Sequence, residues 1–363
     1  MNAHTPSLAH SVWLVTEREV GSKMRSKAFL ISTGILLAVA LISVLWGGLS
    51  AQSDSRIPVA VTADTASVVA DLEQAVEVTR AIDADAARDL VRAGEVDAAL
   101  VPGGDGGFAY TVVGDTGIPP ELTSLLSASP PIELLTTEGT DPFLRSIVAL
   151  GFGAIFFMAA LTFGSTIAQS VVEEKQTRVV ELLISAIPTR ALLAGKVLGN
   201  TILAMGQIIG LAAVAVVGLT VTGQSELLTG LGAPLGWFAV FFLFGFVLLA
   251  SLFAAAGAMV SRQEDIGSTT TPLTFLVMAP YLLVVFFNDN TLVLTVMSYV
   301  PFSAPVGMPV RIFLGEALWW EPLLALALLL ITCLAAVGVG AKIYENSILR
   351  MGARVKLREA LAG

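Results

Sequence analysis

The sequence predicts an all-α transmembrane bundle of six helices, with a small extracytoplasmic α/β domain between the first and second helices. The 363-residue chain is 55% hydrophobic, with a mean hydropathy of +0.82. Only 13% of its residues are charged, about half the share of a typical soluble domain. Six separate apolar runs occur, and one long polar stretch divides the first run from the second. Together these observations exclude a soluble enzyme.

Each apolar run approaches or exceeds the roughly 20 helical residues that a bilayer core about 30 Å thick requires. The runs are continuous rather than alternating, which indicates helices and not barrel strands. None contains Asp, Glu, Lys, Arg or His. The fifth is the shortest and contains Pro280, so we expect a kinked or tilted helix there. The predicted spans are residues 29–49, 147–169, 197–221, 237–260, 271–287 and 322–341.

The basic residues predict how the chain is oriented. Residues 1–28 are interpreted as a cytoplasmic amphipathic segment before the first span. A cleaved signal peptide is the alternative, but the apolar run exceeds the usual 7–15 residues, which favours an uncleaved anchor. Fourteen of the 20 Lys and Arg residues lie on the side of the two chain ends. Because basic residues concentrate in cytoplasmic loops, we expect both termini in the cytoplasm of a multi-pass cell-membrane protein.

The polar stretch, residues 50–142, is too long for a simple loop. Alternation and turn residues predict strands at 57–61, 96–101 and 108–113, a helix at 84–93 and a glycine-rich turn at 103–107. Residues 115–142 are interpreted as a linker. The stretch holds 16 acidic residues against four basic ones. This acidity is interpreted as a solubilising face of an exported domain, with attraction of cations near a pore as the alternative.

Composition also limits the chemistry of the chain. The net charge of −9 and pI near 4.8 argue against binding of nucleic acid, which needs a basic face. The single cysteine, Cys333, excludes an internal disulfide and a cysteine-built metal cluster. The two histidines lie within the first ten residues. We therefore predict no catalytic residue and no metal site in this chain.

The segment between the second and third spans is the most informative. A helix over residues 173–184 would place Glu174, Arg178 and Glu181 on one polar face. Its apolar residues gather on another face, so the helix can lie along the inner membrane surface. Pro188 ends this helix. It is either an interfacial anchor or a docking surface that passes force from a soluble partner into the bundle.

Residues 173–200 resemble the cytoplasmic signature of ABC-2 type transporter permeases. Within that group they are most similar to the sodium-efflux, NatB-like permeases. The matching features are the acidic pair before Lys175, the Glu-Leu-Leu element at 181–183 and Gly195-Lys196. Many members carry Gly-Thr before Glu-Leu-Leu, where this chain has Arg178-Val179-Val180. Weaker similarity extends over residues 18–33, 301–305 and 344–352.

The resemblance implies the membrane (permease) subunit of an ATP-binding cassette exporter. ATP and Mg²⁺ would be bound by a separate ATP-binding subunit, and this chain has no cofactor of its own; its sequence lacks a G-x-x-x-x-G-K-[ST] phosphate loop. Two permease chains, identical or different, would work with two ATPase chains. The resemblance makes 173–184 the coupling helix within the membrane domain 143–343, with 344–363 as a cytoplasmic tail. The implied contacts with the ATPase are Glu173, Glu174, Arg178 and Glu181, and, at a second turn, Arg262 and Glu264.

The transport path is less clearly marked. Ion-coupled carriers usually keep a carboxylate inside the membrane, and its absence from the predicted spans favours an ATP-driven cycle. Candidate path residues are Ser165, Thr166, Gln169, Asn200 and Gln207, although a structural role in helix packing is the favoured interpretation. Pro301, Pro305 and Pro309 recur every four residues, which predicts that residues 299–314 are not a regular helix. This segment would be an outer gate or a tether.

Two functions remain open at this point. The first is an exporter that moves Na⁺, a drug or another small molecule. The second is a membrane-anchored sensor or scaffold whose acidic extracytoplasmic domain binds a ligand. The short cytoplasmic segments argue against the second function, because they leave no room for a signalling domain.

Overall fold

A computed structural model describes residues 7–52, 56–72, 75–103, 109–115, 117–118, 120–126, 142–350 and 355–362. These residues form two compact units. One unit contains the described residues up to Gly48 and those from Pro142 onward, and the other contains those from Leu49 to Leu126. The predicted linker beyond residue 126 lies outside the described residues.

The chain begins with two successive helices, α1 (Leu8–Met24) and α2 (Lys27–Gln52). The Ser7 hydroxyl caps α1 by accepting a hydrogen bond from the backbone N–H of His10 at 3.3 Å. α2 is the first candidate span, and no residue of its most apolar window is buried in the isolated chain. An apolar helix with so little protein contact is suited to a lipid environment.

The smaller unit is a four-stranded sheet with a helix on each face. It contains β1 (Ile57–Val61), β2 (Val76–Arg80), α3 (Ala84–Arg92), β3 (Ala98–Pro102), β4 (Tyr110–Val113) and α4 (Pro120–Leu126). The strand order is β2-β1-β3-β4, with β4 antiparallel to β3 and the other pairs parallel. The three predicted strands and the helix at 84–93 are confirmed. β2 and α4 were not predicted.

Alternating side chains of the strands build the two small cores of this unit. Val59, Val61 and Leu100 pack with Leu122 of α4 on one face. Ala60 and Ala99 pack with Ala87 and Val91 of α3 on the other face. Successive side chains of a strand point to opposite sides, so both faces of the central strands are apolar. Of the predicted turn at 103–107, only Gly103 is described, and its φ of +94° suits glycine.

The remaining described helices belong to the membrane unit. α5, α7, α8, α9 and α12 are long and apolar enough to cross a membrane, which with α2 gives six candidate spans among the described residues, the number predicted. Each helix begins before its predicted apolar run, although α8 and α9 end one or two residues short of theirs. The short α6 lies where a single coupling helix was expected. Their bounds are α5 (Pro142–Gln176), α6 (Val179–Ala186), α7 (Thr189–Val221), α8 (Ser225–Ala258), α9 (Ile266–Phe286), α10 (Thr291–Tyr299), α11 (Ala304–Phe313), α12 (Glu321–Ser347) and α13 (Leu357–Ala362).

The prediction that residues 299–314 avoid regular helix is wrong, because α11 covers Ala304–Phe313. Pro305 lies in the first turn, where a backbone N–H has no partner within the helix. Pro309 lies inside α11 and forfeits one hydrogen bond. Residues 304–311 are all buried, so tertiary packing stabilises a helix that local sequence disfavours.

α8 is the central helix of the membrane unit and packs against α5, α7, α9, α11 and α12. Phenylalanines fill the contact between α5 and α8. Phe156 meets Phe242 edge-on at 5.7 Å between ring centroids, and Phe163 meets Phe246 at 5.9 Å. Within a bilayer such contacts replace the hydrophobic effect as the source of helix association.

Candidate functional site

The predicted coupling helix is divided into two pieces by a sharp corner. α5 continues from the second span through Gln176, and α6 begins at Val179. The backbone N–H groups of Thr177 and Arg178 donate to the carbonyls of Glu173 and Lys175, which closes the end of α5. Arg178 then adopts a left-handed conformation with φ +57°. The expectation of one helix over 173–184 is therefore corrected to two helices joined at Arg178.

The corner carries an exposed surface of mixed charge and apolar character. Val180 is fully buried beneath it, whereas the side chain of Leu182 is 73% exposed. We define the corner surface as the five exposed residues Glu173, Arg178, Val179, Glu181 and Leu182. The corner surface therefore combines two apolar side chains, Val179 and Leu182, with three charged ones.

The second predicted contact element lies at the same end of the bundle. Arg262 and Glu264 are exposed and form an ion pair at 3.2 Å beside a short 3-10 helix, Gln263–Asp265. This turn joins α8 to α9 and packs against α5. The structure therefore brings the predicted contacts Glu173, Arg178 and Glu181 to the same end of the bundle as Arg262 and Glu264.

Glu174 is half-buried and binds side chains within the bundle, whereas its predicted contact with the ATPase stays a prediction. Its carboxylate binds Arg18 at 2.5 Å and Lys196 at 3.0 Å. Glu19 binds the same two cations, at 3.1 Å and 3.0 Å. We call these four residues the ion cluster; it joins α1, α5 and α7. Lys196 is almost fully buried and also donates to the Ser170 hydroxyl at 2.6 Å.

Two glycines of α7 allow α1 to approach closely enough to complete the ion cluster. A Cβ atom at Gly195 would lie 2.9 Å from the backbone oxygen of Val12, and one at Gly199 would lie 2.8 Å from Cβ of Glu19. Thr16 of α1 donates to the Gly195 carbonyl at 3.3 Å. Small residues four apart permit such close packing of helices.

Charge balance explains why Lys196 can be buried in the ion cluster. A lone buried ammonium is strongly unfavourable, whereas two carboxylates facing two cations compensate one another. Burial disfavours the charged form of Glu19, but attraction to Lys196 and Arg18 outweighs it and holds the pKa of Glu19 below its usual range. Burial lowers the pKa of the neighbouring Lys23.

The stability of the membrane unit should therefore depend on the protonation of Glu19. Because its pKa is lower in the folded chain than in the unfolded chain, Glu19 stabilises the fold above the unfolded value of about 4.3. We expect this contribution to be lost as the pH falls through the folded pKa. Thermal unfolding of the purified chain in micelles between pH 7 and pH 3 measures the effect. Glu19→Gln should flatten the profile, and Glu17→Gln, at an exposed position of α1, should not; equal pH slopes in both variants would refute the assignment.

Lys175 is a buried residue of this site that sequence reasoning did not select. Its side chain has no exposed surface. Its ammonium donates to the carbonyl of Ala258 at 2.8 Å and to that of Ser347 at 2.9 Å. These are the last residues of α8 and α12. The available signal was its position within the motif that resembles ABC-2 permeases, between the acidic pair and the corner.

The candidate path residues lie on two helices, α5 and α7. Ser165 and Thr166 are half-buried in α5, Gln169 is exposed, and Gln207 is half-buried in α7. Asn200 is buried and donates to the carbonyl of Lys196. A cavity of about 740 Å³ opens between α5 and α9, but none of the five lines it. The packing role therefore remains the better interpretation of these residues.

The opposite end of the bundle holds a second polar network. Arg311 of α11 binds the Glu321 carboxylate at 2.9 Å, and the Tyr299 hydroxyl donates to the same carboxylate at 2.7 Å. Arg145, at the start of α5, forms an ion pair with Glu316. These bonds tie α10, α11 and α12 together.

Comparisons with known proteins agree with the motif at the corner. A family model described as "ABC-2 family transporter protein" matches residues 27–342, which is most of the chain. No solved structure matches significantly.

Two curated relatives are uncharacterized proteins. YhaP of Bacillus subtilis (strain 168) is 29% identical over 210 residues, which is 54% of this chain and 50% of YhaP. MJ1024 of Methanocaldococcus jannaschii is 23% identical over 224 residues, which is 61% of this chain and 54% of MJ1024. The chain thus spans about half the length of the curated relatives it matches.

Proposed function

Because this chain belongs to the ABC-2 family of transporter proteins, we propose that it is the permease subunit of an ATP-binding cassette exporter. A separate subunit binds Mg²⁺ and ATP and hydrolyses the nucleotide. Two permease chains, identical or different, assemble with two such subunits. The transported species is Na⁺ or a small organic molecule, as the similarity to NatB-like permeases suggests.

The corner surface is the observation that supports this proposal most strongly. It projects from the end of a 35-residue helix that runs through the bundle. Its exposed Leu182 offers an apolar contact. The charged side chains of Glu173, Arg178 and Glu181 belong to the same surface and can orient a partner that binds there. Arg262 and Glu264 extend the same surface at the neighbouring turn.

The charge distribution supports a cytoplasmic position for the corner. Both chain ends and the corner belong to the side with fourteen of the 20 basic residues. The nucleotide is cytoplasmic, so a coupling surface must face that compartment. In this orientation the small α/β unit lies outside the membrane, between the first and second spans.

Reversing the charge of Glu181 tests the proposal. Glu181 is exposed on α6, so Glu181→Lys should leave the fold intact and weaken capture of the ATP-binding subunit by about tenfold, or 1.4 kcal/mol. The measurement is co-purification of the tagged chain with its ATP-binding subunit, recognised by its Walker motifs. Glu226→Lys is the matched control, because Glu226 is exposed at the opposite end of α8.

Unchanged capture in Glu181→Lys, or equal loss in both variants, would contradict a docking role for the corner surface. Substrate is tested separately, with the complex in proteoliposomes. Stimulation of ATP hydrolysis by Na⁺ or by amphiphilic drugs distinguishes the two substrate classes.

A further inference from the structure

Lys175 occupies the last turn of α5, three residues before the corner at Arg178. Its ammonium is buried and bonded to two backbone carbonyls, and no described carboxylate forms an ion pair with it. The proposed docking function does not use this residue. A buried, charged side chain without a carboxylate partner requires a physical explanation.

The explanation lies in the two helix ends that Lys175 contacts. The last carbonyls of an α-helix lack partners within the helix, and the helix dipole makes this end negative. α8 ends at Ala258 and α12 ends at Ser347, and both terminal carbonyls accept from the same ammonium. Two helix ends thus replace the missing carboxylate, and the side chain fixes three helices at one point.

The neighbouring Glu174 makes bonds to other helices. It binds Arg18 of α1 and Lys196 of α7. Successive residues at the end of α5 therefore bind to four different helices, α1 and α7 through Glu174 and α8 and α12 through Lys175. A displacement of the corner would pull on all four helices through these two side chains.

We propose that Lys175 is the positioning residue that transmits movement of the corner to α8 and α12, an inference that rests on the proposed function. α8 is the central helix of the bundle, so its displacement reaches α9 and α11, which pack on it. The ion cluster holds the corner against α1 and α7, whereas Lys175 connects it to α8 and α12. Loss of the ammonium would leave docking and ATP hydrolysis intact, but the resulting movement of the corner would no longer displace α8 and α12.

The experiment uses the full complex with its ATP-binding subunit in lipid nanodiscs. Spin labels at Glu226 and Asp289, both exposed at the end opposite the corner, report the distance between α8 and the turn after α9. The buried Cys333 is replaced by alanine, so that each copy of this chain carries two labelled sites. The distance is compared in nucleotide-free and vanadate-trapped complexes of Lys175→Met, Lys175→Arg and the wild type. Lys342→Met, an exposed lysine on α12, is the matched control.

We expect the wild type and Lys342→Met to show the same nucleotide-dependent change in distance. Lys175→Met should bind the ATP-binding subunit and hydrolyse ATP at the wild-type rate, with the distance change lost. Lys175→Arg should restore part of the change, because a guanidinium also donates to carbonyls. Retention of the full change in Lys175→Met would overturn the inference, as would joint loss of folding, docking and hydrolysis in both Lys175 variants. A wild-type chain that captures no ATP-binding subunit would instead overturn the proposed function before any variant is compared.

Discussion

Replacing Glu174 by lysine is expected to prevent correct assembly of the membrane unit. The variant would place a third cation against Arg18 and Lys196, which now bind the Glu174 carboxylate at 2.5 Å and 3.0 Å. Glu19 would remain as the one carboxylate of the cluster, facing the buried Lys196, Arg18 and the new ammonium. Removing one partner of a buried ion pair costs about 3–5 kcal/mol. This is a large fraction of the stability of a folded chain. Thermal unfolding of the purified chain in micelles should show a strongly lowered midpoint or no cooperative transition.

Glu173→Lys is the matched control, because the neighbouring carboxylate is exposed at the corner. The two substitutions make the same chemical change one residue apart. Glu173→Lys should keep the wild-type unfolding midpoint and affect only capture of the ATP-binding subunit. A Glu174→Lys protein as stable as Glu173→Lys would show that the ion cluster does not stabilise the fold.

Sequence patterns were sufficient to predict the six spans and most of the smaller unit. A continuous apolar run in a bilayer forms a helix, because the helix satisfies its backbone hydrogen bonds within the segment. The candidate spans follow these runs. β2 was missed because its residues, Val-Glu-Val-Thr-Arg, alternate over only five positions and include two charges. α11 was missed because its prolines argue locally against a helix that burial stabilises.

The geometry of the corner was not predicted from the sequence. Helical spacing suits residues 173–184, and nothing in that spacing marks Arg178 as left-handed. The resemblance did contain a signal, since many ABC-2 permeases carry Gly-Thr before the Glu-Leu-Leu element. Glycine adopts positive φ without steric cost. This chain has Arg178-Val179-Val180 at that place, and the absence of glycine there gave no indication of a break between two helices.

The buried charges could not be assigned from the sequence alone. Span prediction selects uncharged runs, so it placed Glu174, Lys175 and Lys196 in a polar loop at the membrane surface. The helices instead continue beyond the apolar runs and carry these residues into helix contacts. Arg18 and Glu174 are 156 positions apart, and local periodicity does not indicate such a pairing.

The second large effect is expected at Gly257, where α8 crosses α5. A Cβ atom at this position would lie 2.7 Å from the backbone oxygen of Ala168 and 2.9 Å from its Cα atom. Backbone atoms cannot rotate away as a side chain can, so Gly257→Ala must separate the two helices. Overpacking of this kind costs about 1–3 kcal/mol and occasionally more. The separation would also draw the Ala258 carbonyl away from Lys175, which it contacts at 2.8 Å.

Gly338 of α12 provides the control, because a Cβ atom there would meet nothing within 4 Å. Alanine is favoured over glycine inside a helix by up to about 1 kcal/mol, so Gly338→Ala should leave the unfolding midpoint unchanged or raise it. Gly257→Ala should lower the midpoint although it gains the same helix propensity. Each variant adds one methyl group, so opposite shifts of the unfolding midpoint would identify the crossing of α5 and α8 as the cause. If both variants were equally stable, the helices would be free to separate at the crossing, and the contact between Lys175 and the end of α8 would not be held by close packing.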